Sequence, residues 1–163
     1  MQASFSPRQF RSALGLFPTG VTVVTSRSAA GRHIGITVNS FTSVSLDPPL
    51  ISFNLARSLG SLQALLDAET YVVNVLTAAQ AEISTSFARA ETDKWACAAS
   101  RPAPSGNPVL VPHVAFFECA RHAVHEAGDH LIFLGRVTGF EINEQETPLV
   151  FFRGQYCSLQ HSD

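Results

Sequence analysis

The hydrophobic pattern of the chain changes period early. Phe10, Ala13, Leu14 and Phe17 recur at helical spacing. Ahead of them Ser6, Pro7 and Gln9 have the residue types of a capped helix start, and Phe5 stands where it can staple onto Phe10. Pro18 helps to end this helix. From Val21 the period becomes two. Residues 21–26 are rich in β-branched side chains, Ser28 to Gly31 reads as a turn, and residues 32–39 alternate cleanly. Ile34, Ile36 and Val38 point one way there, and Gly35, Thr37 and Asn39 the other. A third strand puts Ile51, Phe53 and Leu55 on one face and Ser52, Asn54 and Ala56 on the opposite one.

A short helix is predicted over 58–68, burying Leu62, Leu65 and Leu66. Residues 71–76 are apolar on both faces and read as a central strand, and Thr77 to Gln80 opens a third helix that ends near Phe87. Residues 89–112 hold four prolines and read as a long loop, a form that is often functional. Two long strands, 114–125 and 130–142, flank the turn Glu126-Ala127-Gly128-Asp129, and a last strand covers 149–157. Many β-segments, three short helices and no βαβ alternation predict a mainly β, antiparallel barrel formed as a single domain over 1–163.

Composition narrows the function classes. Of the 163 residues 45% are hydrophobic and only 15% charged, with formal net charge −2. That describes a compact protein without the basic stripe that nucleic acid requires. So little charge leaves apolar surface, which an oligomer interface would cover. Cys97, Cys119 and Cys157 are odd in number and follow no motif spacing, which fits a reducing compartment. The first residues lack the basic start and apolar run of a secretory signal, and no stretch has the length of a membrane span. A cytoplasmic protein with no membrane partner is expected.

Candidate chemistry sits on the polar strand faces. Thr37 and Asn39, with Ser52 and Asn54 on what reads as a neighbouring strand, could hydrogen-bond the edge of a planar heterocycle, though outward strand residues are commonly just solvated. Arg57, with Ser58 or Ser61 at a helix start, could receive a phosphate, though most capped helix starts hold none. His122, His125 and His130 suggest a metal, but an odd step separates the first two on one strand, and no metal site is expected. A Gly-x-Ser-x-Gly elbow and a Gly-x-Gly-x-x-Gly fingerprint are both lacking, which argues against a hydrolase triad and a Rossmann domain.

Together, several segments resemble the flavin reductase-like family, the small NAD(P)H:flavin oxidoreductases of two-component flavin monooxygenases. The landmarks are Phe17-Pro18-Thr19-Gly20-Val21-Thr22-Val23-Val24-Thr25, Gly35-Ile36-Thr37-Val38-Asn39-Ser40-Phe41 and Ser43-Val44-Ser45-Leu46-Asp47-Pro48-Pro49-Leu50. They continue with Phe53-Asn54-Leu55-Ala56-Arg57-Ser58, Tyr71-Val72-Val73-Asn74-Val75-Leu76, Gly128-Asp129-His130 and Phe152-Arg153-Gly154-Gln155-Tyr156. Their order over 10–159 carries the resemblance. Residues 96–105 depart from the family pattern.

The resemblance implies a split antiparallel β-barrel with Greek-key character, a homodimer, and flavin near the subunit contact. It implies that Thr37, Val38, Asn39 and Ser40 border the isoalloxazine ring and that Ala56 approaches it. Arg57, Ser58 and Ser61 would serve the ribityl-phosphate end, and Phe87 would line the same pocket. His130 would position the nicotinamide, and Arg153 and Tyr156 match a motif of less defined role. The implied activity is hydride transfer from NADH or NADPH to FMN or FAD, with reduced flavin passed to a flavin-dependent monooxygenase. Two other readings stay open: a flavoprotein that retains its flavin as an oxidase or direct electron donor, and a non-catalytic flavin- or haem-binding barrel.

Overall fold

The computed structural model describes residues 5–90 and 93–159. In chain order the elements are α1 (Pro7–Leu14), β1 (Thr19–Gly20), β2 (Thr22–Arg27), β3 (His33–Val38), β4 (Thr42–Leu46), β5 (Pro49–Ala56), α2 (Leu62–Asp67) and β6 (Thr70–Val75). A 3-10 turn, Ala78–Gln80, leads into α3 (Ala81–Ala88). Then follow β7 (Ser100–Pro102), β8 (Pro108–Leu110), β9 (Ala115–Ala127), β10 (His130–Ile142), β11 (Val150–Phe152) and β12 (Gln155–Cys157).

Seven strands form one antiparallel sheet in the order β3-β2-β6-β9-β10-β5-β4. The fold is therefore mainly β with few helices, as the alternating patterns predict. Residues 71–76 do form a buried central strand, β6, between β2 and β9. One core cluster gathers Ile34, Ile36 and Val38 of β3 with Ile51, Phe53 and Leu55 of β5. These strands are far apart in the ladder order, so the sheet curls until its two ends share a core. The Ser40 hydroxyl spans the seam and accepts from the Asn54 backbone N–H at 2.9 Å.

The first helix starts as its sequence dictates. Ser6 and Gln9 exchange capping-box bonds of 3.2 and 2.8 Å, and the Phe5 and Phe10 rings lie 5.4 Å apart. The Ser28–Gly31 turn closes with a 2.8 Å bond, Gly31 taking a φ of 76°. The second helix starts later than predicted, at Leu62, and only Leu65 of its leucines is fully buried.

Four strands escaped the sequence reading, the shortest being the two-residue β1. β4 lies where no strand was predicted. The loop over 89–112 contains the β7–β8 hairpin, whose prolines Pro102 and Pro108 stand opposite each other at its closed end. Buried Asn74 holds this hairpin on the main sheet: its Oδ1 accepts from the Leu110 N–H at 2.9 Å while its Nδ2 donates to the Val23 carbonyl at 3.0 Å. The predicted last strand is the hairpin β11–β12. Its two-residue turn needs positive φ at both Arg153 (51°) and Gly154 (79°), and arginine rarely adopts such a conformation.

Candidate functional site

Two clefts meet at Leu59. The first, about 300 Å³, is bordered by Thr37, Val38, Asn39 and Ser40 on one side and by Asn54, Ala56 and His130 on the other. The curl of the sheet brings these walls together. β3 and β5 are not paired neighbours, so the sequence expectation of adjacent strands is corrected: their polar residues face each other across the seam. Ser52 does not join them and is buried between Leu134 and Thr42.

Each wall has a local cause. The Thr37 hydroxyl donates to the Ser84 carbonyl of α3 at 2.7 Å, which fixes the outer side of β3 against that helix. Val38 turns its side chain into the core, and Asn39 is exposed with no protein partner among the described residues. Opposite them, β5 and β10 pair so that Ala56 and His130 face each other directly. Gly128, with φ 62°, makes the tight turn that starts β10 at His130. The Asp129 carboxylate accepts from His130 Nδ1 at 2.7 Å, leaving Nε2 as the unbonded ring nitrogen. That bond, and secondarily the imidazole charge, hold the Asp129 carboxyl below the usual aspartate range.

Arg57 is placed differently from the sequence expectation. Its backbone N–H donates to the Asp129 carbonyl at 2.9 Å, its Nε donates to the Gly128 carbonyl at 3.0 Å, and a terminal nitrogen pairs with Glu126 at 3.2 Å. The guanidinium therefore latches the β9–β10 turn beside the cleft through two of its three nitrogens. Ser58 is exposed and borders neither cleft. Ser61 occupies the N-cap position of α2 without making the capping bond. Its hydroxyl is buried without a partner and lines the second cleft.

Phe87 does not line the first cleft and is corrected. It is fully buried under Gly35 and edge-on to Trp95, with ring centroids 5.0 Å apart. Arg153 and Tyr156 also lie outside it. The Tyr156 hydroxyl donates to Ser84 Oγ at 2.8 Å, so it braces the helix residue whose carbonyl holds Thr37.

The second cleft, about 580 Å³, went unnoticed in the sequence. Arg32, His33, Asp93, Lys94 and Trp95 border it together with Ser61. Its only sequence signal is the Asp93-Lys94-Trp95 run inside the loop. Lys94 Nζ donates to the Gly35 and Phe87 carbonyls, each at 3.2 Å, and burial lowers its pKa.

No helix among the described residues is long and apolar enough to cross a membrane. His122, His125 and His130 form no metal-binding group among the described residues.

The reductase subunit of a stachydrine N-demethylase from Rhizobium meliloti is 46% identical over 84% of the chain, which spans 60% of that protein. A second Rhizobium meliloti relative is spanned over only 49% of its length. A Pseudomonas putida flavin reductase is 38% identical, with 96% of this chain and 92% of that protein covered. The solved structure of Streptomyces globisporus NADH:FAD oxidoreductase SgcE6, in complex with NAD and FAD fragments, superposes with a TM-score of 0.90 at 34% identity over 98% of both chains. The family model described as flavin reductase like domain matches residues 14–160. The chain belongs to that family.

Proposed function

We propose that this protein is an NAD(P)H-dependent flavin reductase that accepts FMN or FAD and passes reduced flavin to a partner monooxygenase. The observation that carries this reading is the cleft between residues 37–40 and the Ala56–His130 pair. Its walls are backbone and small side chains, the surface against which a flat ring can lie. Ala56 and His130 border the cleft as direct partners on adjacent strands.

The residues present fit a flavin. Exposed Asn39 has an unused amide for a ring edge, and the buried Ser61 hydroxyl without a partner marks a polar end where a ligand oxygen would satisfy it. The flavin and nicotinamide supply the hydride chemistry. The protein's task is to bring their rings within near-attack distance. His130, oriented by Asp129 through Nδ1, presents Nε2 to position the nicotinamide. Backbone N–H groups at the rim favour the negative charge that builds on the ring edge during transfer. No side chain is required to act as nucleophile or obligatory acid.

The curled sheet, with its ends bridged by Ser40 and Asn54, supports a split barrel, and the exposed apolar groups support a homodimer. Phe17 is 75% exposed, Leu46 93% and Phe140 65%. Surfaces of this kind are normally covered. Sequence similarity to reductase subunits, among them that of a flavin-dependent monooxygenase, supports the partner assignment.

The test mixes purified protein anaerobically with each flavin and each nicotinamide. Bleaching of oxidised flavin is expected with at least one pair, and its absence with every pair would refute the proposal. Gel filtration separates the readings further: flavin lost on the column indicates a released substrate, and flavin carried with the protein a retained cofactor.

A further inference from the structure

The ring cleft depends on support from outside its own walls. Thr37 borders it, and the single proton of the Thr37 hydroxyl is committed to the Ser84 carbonyl of α3 at 2.7 Å. The outer side of β3 therefore stands where α3 stands. Ser84 is buried and carries a second bond, its Oγ accepting from the Tyr156 hydroxyl at 2.8 Å. The same phenol oxygen lies 3.3 Å from Thr85 Oγ1, and Thr85 gives its own proton to the Ala81 carbonyl at 3.0 Å. One tyrosine of β12 thus meets two consecutive hydroxyls of α3.

Tyr156 itself has a firm base. It pairs with Phe151 across the β11–β12 hairpin, with ring centroids 5.6 Å apart. Phe151 pairs in turn with Thr19 of β1 and packs on the core cluster that Ala81 and Ile83 of α3 also join. The Arg153 N–H donates to the Gly15 carbonyl at 2.8 Å, which ties the hairpin turn to the end of α1. Arg153 holds a φ of 51° to make that turn, a conformation that costs a residue with a Cβ and persists where its surroundings enforce it.

We infer that Tyr156 is a positioning residue for the flavin: through Ser84 and Thr37 it sets where the 37–40 wall of the ring cleft stands. It borders neither cleft and acts without touching the ligand. This role rests on the flavin reductase reading of the ring cleft.

The test combines Tyr156→Phe with Ser84→Ala and with Thr37→Val, singly and in pairs. Tyr156→Phe keeps the ring and its packing on Phe151, and Ser84→Ala removes the accepting hydroxyl while keeping the carbonyl that holds Thr37. Affinity for FMN and FAD is measured by fluorescence titration, KM is measured separately for flavin and nicotinamide, and thermal midpoints are recorded. Tyr156→Phe is expected to weaken flavin binding about fivefold and to raise the flavin KM, with the nicotinamide KM unchanged. Added to Thr37→Val or to Ser84→Ala, it is expected to weaken flavin binding no further, because the route is already cut. A merely structural contact would add the same increment in every background, so additive losses of flavin affinity overturn the inference. Unchanged flavin affinity in Tyr156→Phe also overturns it. Should Thr37→Val not fold, the pair with Ser84→Ala makes the same comparison. A wild type that binds neither flavin overturns the flavin reading and this inference together, whereas wild-type binding with additive or unchanged variants overturns this inference alone.

Discussion

Ala56 and His130 are direct partners across the β5–β10 ladder, which puts the smallest practical side chain opposite the one imidazole that borders the ring cleft. The pairing sets the height of the cleft. Ala56→Leu should therefore fill it without burying or exposing anything in the core. The expected result is at least tenfold weaker flavin binding, about 1.4 kcal/mol, in a fluorescence titration, with an unchanged thermal midpoint.

Arg57 gives a prediction opposite to that of a phosphate ligand. Its bonds to Gly128 and Glu126 hold the turn carrying Asp129 and His130. The pair with Glu126 is largely exposed, and such pairs contribute about 0–1 kcal/mol, so Arg57→Ala should hardly change stability. The nicotinamide KM should rise while flavin affinity is kept. A selective loss of FMN binding would return Arg57 to the phosphate.

The Asp129 tether has a defined pH range. Its folded pKa is depressed, so its contribution is complete above the ordinary aspartate value of 3.8 and fades as pH falls through the lower folded value. Between 3.8 and neutrality the Asp129 carboxylate therefore stays ionised. Asp129→Asn should raise the nicotinamide KM a few-fold at neutral pH, and a steady-state pH profile of both proteins checks this. An unchanged nicotinamide KM in the variant at neutral pH would contradict it.

Gly35 lies against Phe87 with no room for a methyl group: a Cβ there would stand 2.3 Å from the buried ring. Phe87 is fully buried and packed on Trp95, so the ring cannot simply swing away. Overpacking of this kind costs about 1–3 kcal/mol. Gly35→Ala should lower the thermal midpoint by roughly 2–4 °C for each of those kcal/mol, measured by calorimetry.

The cysteines should separate by reactivity. Burial, with the Glu118 charge second, pushes the Cys119 thiol up to about 12, so its thiolate fraction at neutral pH is on the order of 10⁻⁵. Cys97 is exposed and Cys157 half-buried. An aromatic disulfide reagent should label Cys97 rapidly in the native protein and Cys119 only after unfolding.

Much of the fold could be read from periodicity, and the unread parts share a cause. Alternation in β3 and β5 and the two-sided apolarity of β6 report burial directly, so those strands were legible. β7, β8 and the β11–β12 turn depend on tertiary partners: Asn74 inside the sheet, and a positive φ imposed on Arg153. Local propensity does not encode such constraints. Residues 37–40, Ala56 and His130 could be placed through their motifs. The roles of Arg57 and Phe87 could not, because each depends on what lies opposite in three dimensions. The second cleft was invisible for the same reason, since it is assembled from a turn, a helix start and a loop.

The turn at Gly128 starts β10 with His130 at the border of the ring cleft, and the proposed role of His130 there is to position the hydride donor. Rapid-reaction anaerobic kinetics of His130→Ala test it most directly, with the rate of flavin bleaching followed against nicotinamide concentration and flavin affinity measured in the same samples. A large loss in nicotinamide efficiency with flavin binding intact is expected. Equal loss of both, or no loss of either, would contradict it.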